Sequence, residues 1–226
     1  MISMLRAITL CALTGVLLAC GTSGGGGDAG VDDDGGGRGD ASASEGLVFE
    51  FVADPALGDV GGGVSVDEAR ISLRDVRAIG DSATGDYRTS KAEVDLEWSD
   101  GHTQSPLRFP LAPPGIYSTF EARLGLPSTG SERFEIRGEV VVGGETRSFR
   151  IENDVVNEQI AVPLDGLSLG DELRTATIAC SFAFLATLPW DQIALEEGEY
   201  RIEPGSPHMP AVVAGLSAAF SLADVR

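Results

Sequence analysis

The sequence predicts a mainly β fold, an antiparallel β-sandwich with a short C-terminal helix, and three observations carry it. From Leu47 onward apolar and polar residues alternate with a period of two, the mark of half-buried strands. Gly, Pro, Asp and Ser clusters punctuate that alternation, and nowhere does the strand-then-helix spacing of a βαβ unit appear. Only Pro210 to Phe220, near the C-terminus, carries apolar residues at helical spacing.

Taken in order, the chain opens with an export signal. Met1 to Arg6 carries one positive charge, Ala7 to Leu18 is almost wholly apolar, and the small residue Ala19 precedes Cys20. A basic start, a short apolar run and a small-residue processing site make residues 1–19 a signal peptide. The run falls short of the roughly 20 apolar residues that a membrane span needs. Leu17-Leu18-Ala19-Cys20 resembles the lipobox of bacterial lipoproteins. That resemblance implies that Cys20 is lipidated and becomes the mature first residue. Buried acyl chains contribute about 0.8 kcal/mol per CH₂, so lasting anchorage takes more than one chain, as a diacylglyceryl thioether with an added N-acyl chain provides. Gly21, not Asp, follows the cysteine. The family rule then implies the outer membrane of the bacterial cell envelope.

Residues 20–46 form a tether of Gly, Ser, Ala and Asp with almost nothing apolar. Such a segment cannot bury enough surface to offset its ordering entropy. At about 5–6 Å × √n, its average reach is roughly 25–30 Å, enough to hold a domain clear of lipid head groups. Asp32-Asp33-Asp34-Gly35 lacks the alternating ligands and closing Glu of a calcium loop. Arg38-Gly39-Asp40 is a tripeptide that a Gly/Asp-rich tract produces by chance.

Residues 47–226, about 180 in number, are enough for one domain with a proper core. The chain has 16 basic and 35 acidic side chains, a formal charge of −19, and a single lysine, Lys91. That balance argues against nucleic acid, which needs basic stripes, and against the domain lying on anionic lipid. Cys11 leaves with the signal and Cys20 takes lipid, so Cys180 has no partner for an internal disulfide. Its setting, Ile178-x-Cys180-x-Phe182-x-Phe184, is that of a small buried apolar residue.

Within the domain, Leu47, Phe49 and Phe51 alternate first. Ala69, Ile71 and Leu73 follow the Gly61-Gly62-Gly63 loop, with Arg70, Ser72 and Arg74 on the opposite face. The phase then slips at Val76 and Ile79, which predicts a bulge near Asp75. Ala92, Val94, Leu96 and Trp98 alternate with Lys91, Glu93, Asp95 and Glu97. Ser99-Asp100-Gly101-His102 turns the chain, and Leu107, Phe109 and Leu111 return it. Pro113-Pro114-Gly115 opens a strand expected to hold Ile116, Ser118, Phe120, Ala122 and Leu124 on one face. Phe134 to Val142 and Phe149 to Ile151 flank Gly143-Gly144, a two-residue hairpin signal. Ile160 to Leu164 and Ile178 to Phe184 read as two further strands. Leu188 to Ile193 reads as one helical turn, and Tyr200 to Ile202 as a brief strand. The terminal helix has Pro210 in its first turn, while Gly215 costs it about 1 kcal/mol.

Leu111-Ala112-Pro113-Pro114-Gly115-Ile116-Tyr117, after a strand pair like Ala69–Ile79 and before a late hydrophobic strand followed by Tyr200-Arg201-Ile202-Glu203-Pro204, resembles DUF4382-type envelope lipoproteins. The resemblance covers about two-thirds of the domain, does not account for the terminal helix, and implies a prealbumin-like or immunoglobulin-like sandwich with no established activity.

Candidate chemistry is sparse. Gly166-Leu167-Ser168-Leu169-Gly170 matches G-x-S-x-G, and Asp191 and His208 follow in the Ser…Asp…His order of α/β-hydrolases. A nucleophile elbow needs a helix after the serine, and Arg174 to Leu185 alternates like a strand. His102 and His208 are the only histidines, so a zinc or copper site needs both, joined by carboxylates. Glu196, Glu197 and Glu199 form an oxygen-rich loop that suits calcium. Glu93, Asp95 and Glu97 share one strand face, where Arg70 and Arg74 of a neighbouring strand are natural partners. Gly61-Gly62-Gly63 lacks the lysine and helix start of a phosphate loop.

The expectation is a lipid-anchored envelope protein whose sandwich is not an enzyme. It works by binding, its partner an unknown envelope protein or glycan, or as a structural accessory in a larger complex. A calcium-dependent adhesion or carbohydrate-binding module is the alternative, and a serine hydrolase using Ser168 is the alternative of another class.

Overall fold

The computed structural model describes residues 46–82, 85–125 and 133–226. The lipobox, Asp32–Gly35 and Arg38–Asp40 lie outside the described residues. The strands in chain order are β1 (Leu47–Ala53), β2 (Gly58–Gly61), β3 (Val64–Gly80), β4 (Ala92–Trp98), β5 (Leu107–Phe109), β6 (Gly115–Leu124) and β7 (Phe134–Val142). They continue as β8 (Glu145–Asn153), β9 (Gln159–Leu169), β10 (Arg174–Cys180), β11 (Leu195–Glu196) and β12 (Glu199–Ile202). Helix α1 (Met209–Ser217) and strand β13 (Phe220–Val225) end the chain, and two short 3₁₀ turns, Ala183–Thr187 and Trp190–Gln192, precede β11.

Strand β3 is the spine of the larger sheet. Ala69 and Ile71 pair with both β4 and β7, and Leu73 pairs with both β4 and β6. Strands β7 and β6 therefore share one edge of β3 end to end, and β4 lies along the other. Strands β8 and β9 repeat the pattern outside β7 and β6. The predicted bulge is present at Asp75, whose φ of 54° is left-handed, and both neighbours of β3 shift register there. That shift returns Val76 and Ala78 to the interior. Gly143 and Gly144 form the expected two-residue hairpin, both at positive φ.

The smaller sheet runs β13-β10-β1-β5 and faces the larger one. Between them Phe120 of β6 meets Phe49 and Phe51 of β1 edge-on, with ring centroids 5.0 and 6.0 Å apart. A second cluster, Phe149, Trp190 and Tyr200, seats the 3₁₀ turns against β8 and β12. Cys180 is buried, free and unpaired, and burial pushes its thiol pKa well up. The result is a β-sandwich with a short C-terminal helix.

Three details differ from the expectations. The sheets are mixed, because β1 runs parallel to β10 and β8 parallel to β12. Parallel neighbours need long crossovers, and alternation along one strand carries no sign of its partner's direction. In β6 the register slips between Tyr117 and Thr119. Tyr117, not Ile116, faces the core before the slip, and Phe120, Ala122 and Leu124 face it afterwards. The helix also stops at Ser217, and Phe220–Val225 becomes an edge strand beside β10. Gly215 sits in the helix because Phe184 packs on it: an added Cβ would lie 2.4 Å from Cδ2 of that ring.

Candidate functional site

A cleft opens at one side of the sandwich, between the Phe51–Ala53 end of β1 and the Trp98 end of β4. The β4 alternation sends Leu96 and Trp98 inward and Glu93, Asp95 and Glu97 outward. The outward acids meet the arginines of β3: Arg74 lies 2.7 Å from Asp95 and 3.7 Å from Glu93, and Arg70 3.5 Å from Glu97. Those three acids thus belong to cross-strand ion pairs.

After Trp98 the chain turns at Ser99–His102, closed by the His102 N–H donating to the Ser99 carbonyl at 3.2 Å, with Gly101 at a φ of +76°. Gln104 ties the outgoing segment back to β4. Its Oε1 accepts from the Glu97 N–H at 2.9 Å, and its Nε2 donates to the Asp95 carbonyl at 3.4 Å. The segment then enters β5, the partner of β1, and so bridges the two sheets above the cleft.

The cleft encloses about 590 Å³, within the range of small-molecule sites. Phe51, Val52, Ala53, Leu57 and Trp98 supply apolar walls, while Ser99, Asp100, His102, Thr103 and Gln104 make a polar rim. Glu50, also on the rim, is engaged by Arg226 at 2.5 Å. Trp98 is 8% exposed and packs edge-on to Phe182 at 5.8 Å. Its indole N–H is buried without a hydrogen-bond partner among the described residues, a state that costs about 1–3 kcal/mol. The other indole, Trp190, donates to the Leu185 carbonyl at 3.0 Å.

The residues singled out from sequence fall elsewhere, His102 excepted. Ser168 lies inside β9 opposite Ile116, exposed, between the buried Leu167 and Leu169. Strand continues on both sides of it, so G-x-S-x-G is here a bulged strand, with Asp165 and Gly166 at positive φ. Its register is next to the Gly80 end of β3, whereas β12, which leads to His208, registers through β8 and β7 with the Ser65–Ala69 end. Asp191 is exposed in the second 3₁₀ turn, and His208 precedes α1 beside a cavity of about 340 Å³. No hydrogen bond joins Ser168, Asp191 and His208 among the described residues.

His102 is on the cleft rim and His208 beside Gln192 and Arg201, lining separate cavities. Glu197 and Gly198 are the two turn residues of the β11–β12 hairpin, with Glu196 and Glu199 paired across it. Glu199 is held by Arg201 at 2.9 Å. Among the described residues no three or more His, Cys, Asp or Glu side chains are grouped to hold a metal ion. No helix among them is long and apolar enough to cross a membrane.

Sequence reasoning had no way to assemble the cleft. Trp98 and the Ser99–His102 turn were visible, but the opposite wall comes from β1, about 45 residues away in sequence. No family model matches the chain, and no curated protein or solved structure matches it.

Proposed function

We propose that this chain is a lipid-anchored protein of the bacterial envelope, at the outer membrane, whose sandwich binds an uncharged amphipathic ligand without transforming it. The observation that carries the binding role is the cleft: apolar walls from two sheets and a hydroxyl- and amide-bearing rim. An acyl or alkyl tail suits the walls, and a hydroxyl-rich head suits Ser99, Thr103, Gln104 and Asp100. The lipobox and tether supply the address, and the kinship with DUF4382-type envelope lipoproteins belongs to the same proposal.

Titration calorimetry with octyl glucoside below its micelle concentration tests the binding role. The native chain should give saturable binding, and Val52→Glu, which puts a charge on a partly exposed wall residue, should weaken it at least tenfold. Equal binding by both would place any interaction outside the cleft. For the address, labelled palmitate should be incorporated by the native chain and not by Cys20→Ser; label in both would remove the lipid anchor at Cys20.

A further inference from the structure

The outer face of the larger sheet carries a second depression, of about 270 Å³, far richer in charge than the cleft. Register brings its residues together. Arg77 of β3 is opposite Glu121 of β6, Arg123 lies two positions along, and Gln159 of β9 is opposite Arg123. The bulge at Asp75 lies between these two pairings: Arg123 is directly opposite Arg74, and past the bulge Arg77 comes to the same face beside Arg123. The left-handed bulge at Asp75 turns that carboxylate to the rim, where Lys91 holds it at 2.6 Å. Tyr87, 55% exposed, forms another side, with the Arg77 guanidinium 4.2 Å from its ring centre.

Two of the bowl's arginines stand without a carboxylate partner among the described residues. In a chain with 35 acids and 16 bases, arginines readily find carboxylates, and Arg70, Arg74 and Arg88 each have one within 4 Å. Arg77 and Arg123 have none within that distance among the described residues, although Glu121 stands directly across from Arg77. Lys91 already neutralises Asp75. Its hydrogen bond holds the Asp75 carboxyl below the usual carboxylate range, and the fields of Arg77 and Arg123 act in the same direction. Two like charges on adjacent strands repel, and an anion between them would remove that repulsion while taking up the guanidinium donors.

We propose that this bowl binds a compact oxyanion, a carboxylate or a phosphate, carried on a small hydroxyl-bearing molecule. The anion sits between Arg77 and Arg123, and the hydroxyls reach Glu121 and Gln159 beside the Tyr87 ring. The site is separate from the cleft and does not depend on what the cleft binds.

Calorimetry of the full chain in low salt, with glucuronate, glycerol 3-phosphate, glucose and inorganic phosphate as probes, tests it. Glucuronate or glycerol 3-phosphate should bind more tightly than glucose or phosphate, and whichever binds identifies the anion. Arg123→Gln should weaken that binding at least tenfold, and Arg77→Gln/Arg123→Gln should abolish it. Arg108→Gln, an exposed arginine on β5 of the other sheet, should leave it unchanged. Unaltered thermal melts would show that the variants remain folded. Glucose binding as tightly as glucuronate, binding that survives Arg123→Gln, or silence from every probe at millimolar concentration would overturn the proposal. So would binding of inorganic phosphate alone, which would mark an adventitious ion only.

Discussion

The Tyr117 hydroxyl donates a 2.6 Å hydrogen bond to the Pro113 carbonyl, four residues back. This contact fastens the entry of β6. The Tyr117 side chain is wholly buried, and Arg88 lies 5.5 Å from its ring centre, paired with Asp86 at 2.9 Å. Gly115, at a φ of +143°, leaves space for the same guanidinium: a Cβ there would lie 1.8 Å from Nη1 of Arg88. Tyr117→Phe leaves the Pro113 carbonyl without this donor and should cost about 1 kcal/mol in urea unfolding.

The same tyrosine gives a pH signature. Burial, partly offset by Arg88, pushes its hydroxyl up to about 12, from an ordinary value near 10. The native chain keeps this proton at a pH where the unfolded chain loses it. Its contribution is therefore fully present below pH ~10 and is lost as pH rises toward 12. Urea midpoints from pH 9 to 12 should fall more steeply for the native chain than for Tyr117→Phe. Parallel curves would show that the phenol titrates alike folded and unfolded.

Gly215→Ala should destabilise the protein even though alanine is the better helix former by about 1 kcal/mol. The new methyl would meet Phe184 at Cδ2, Cγ and Cβ, at 2.4, 2.6 and 2.9 Å. Contact so near the base of the side chain cannot be relieved by swinging its tip, and overpacking of this kind costs about 1–3 kcal/mol. In a double-mutant cycle with Phe184→Ala the two losses should be clearly non-additive. Additive losses would locate the effect in the helix alone.

Deleting residues 220–226 should do more than shorten a tail. Strand β13 covers the edge of β10, Phe220 is 6% exposed, and Arg226 exchanges backbone hydrogen bonds with Thr175. A loss of about 3 kcal/mol, or roughly 6–12 °C in Tm, is expected. The uncovered edge should also promote self-association, which light scattering would detect. A truncated chain with the native Tm would make β13 dispensable.

Local pattern carried much of this architecture. The slip at Val76 announced the Asp75 bulge, and Gly143-Gly144 announced its hairpin, because one-residue phase changes and positive-φ turns leave marks in a single strand. Arg70 and Arg74 were legible as partners for Glu93, Asp95 and Glu97 for the same reason: alternate residues share a face. What the sequence concealed depends on relations between distant segments. The parallel pairing of β1 with β10, the inward turn of Tyr117 across a slip in β6, and the cleft that Val52 and Trp98 both line have no local mark. The site residues suffered most. Ser168, Asp191 and His208 stand in a suggestive order along the chain, but sheet register separates them, whereas Arg77 and Arg123 become neighbours only through the pairing of β3 with β6.

The cleft is tested most directly by the two indole N–H signals in a proton–nitrogen correlation spectrum, assigned with Trp190→Phe and followed during titration with octyl glucoside. Trp98 lines the cleft, whereas Trp190 lies outside it and donates to the Leu185 carbonyl. The Trp98 signal should shift with saturation as the ligand fills the cleft that this residue lines, while that of Trp190 stays in place. A Trp98 signal that does not move, or that shifts only in step with Trp190, would contradict ligand binding in the cleft.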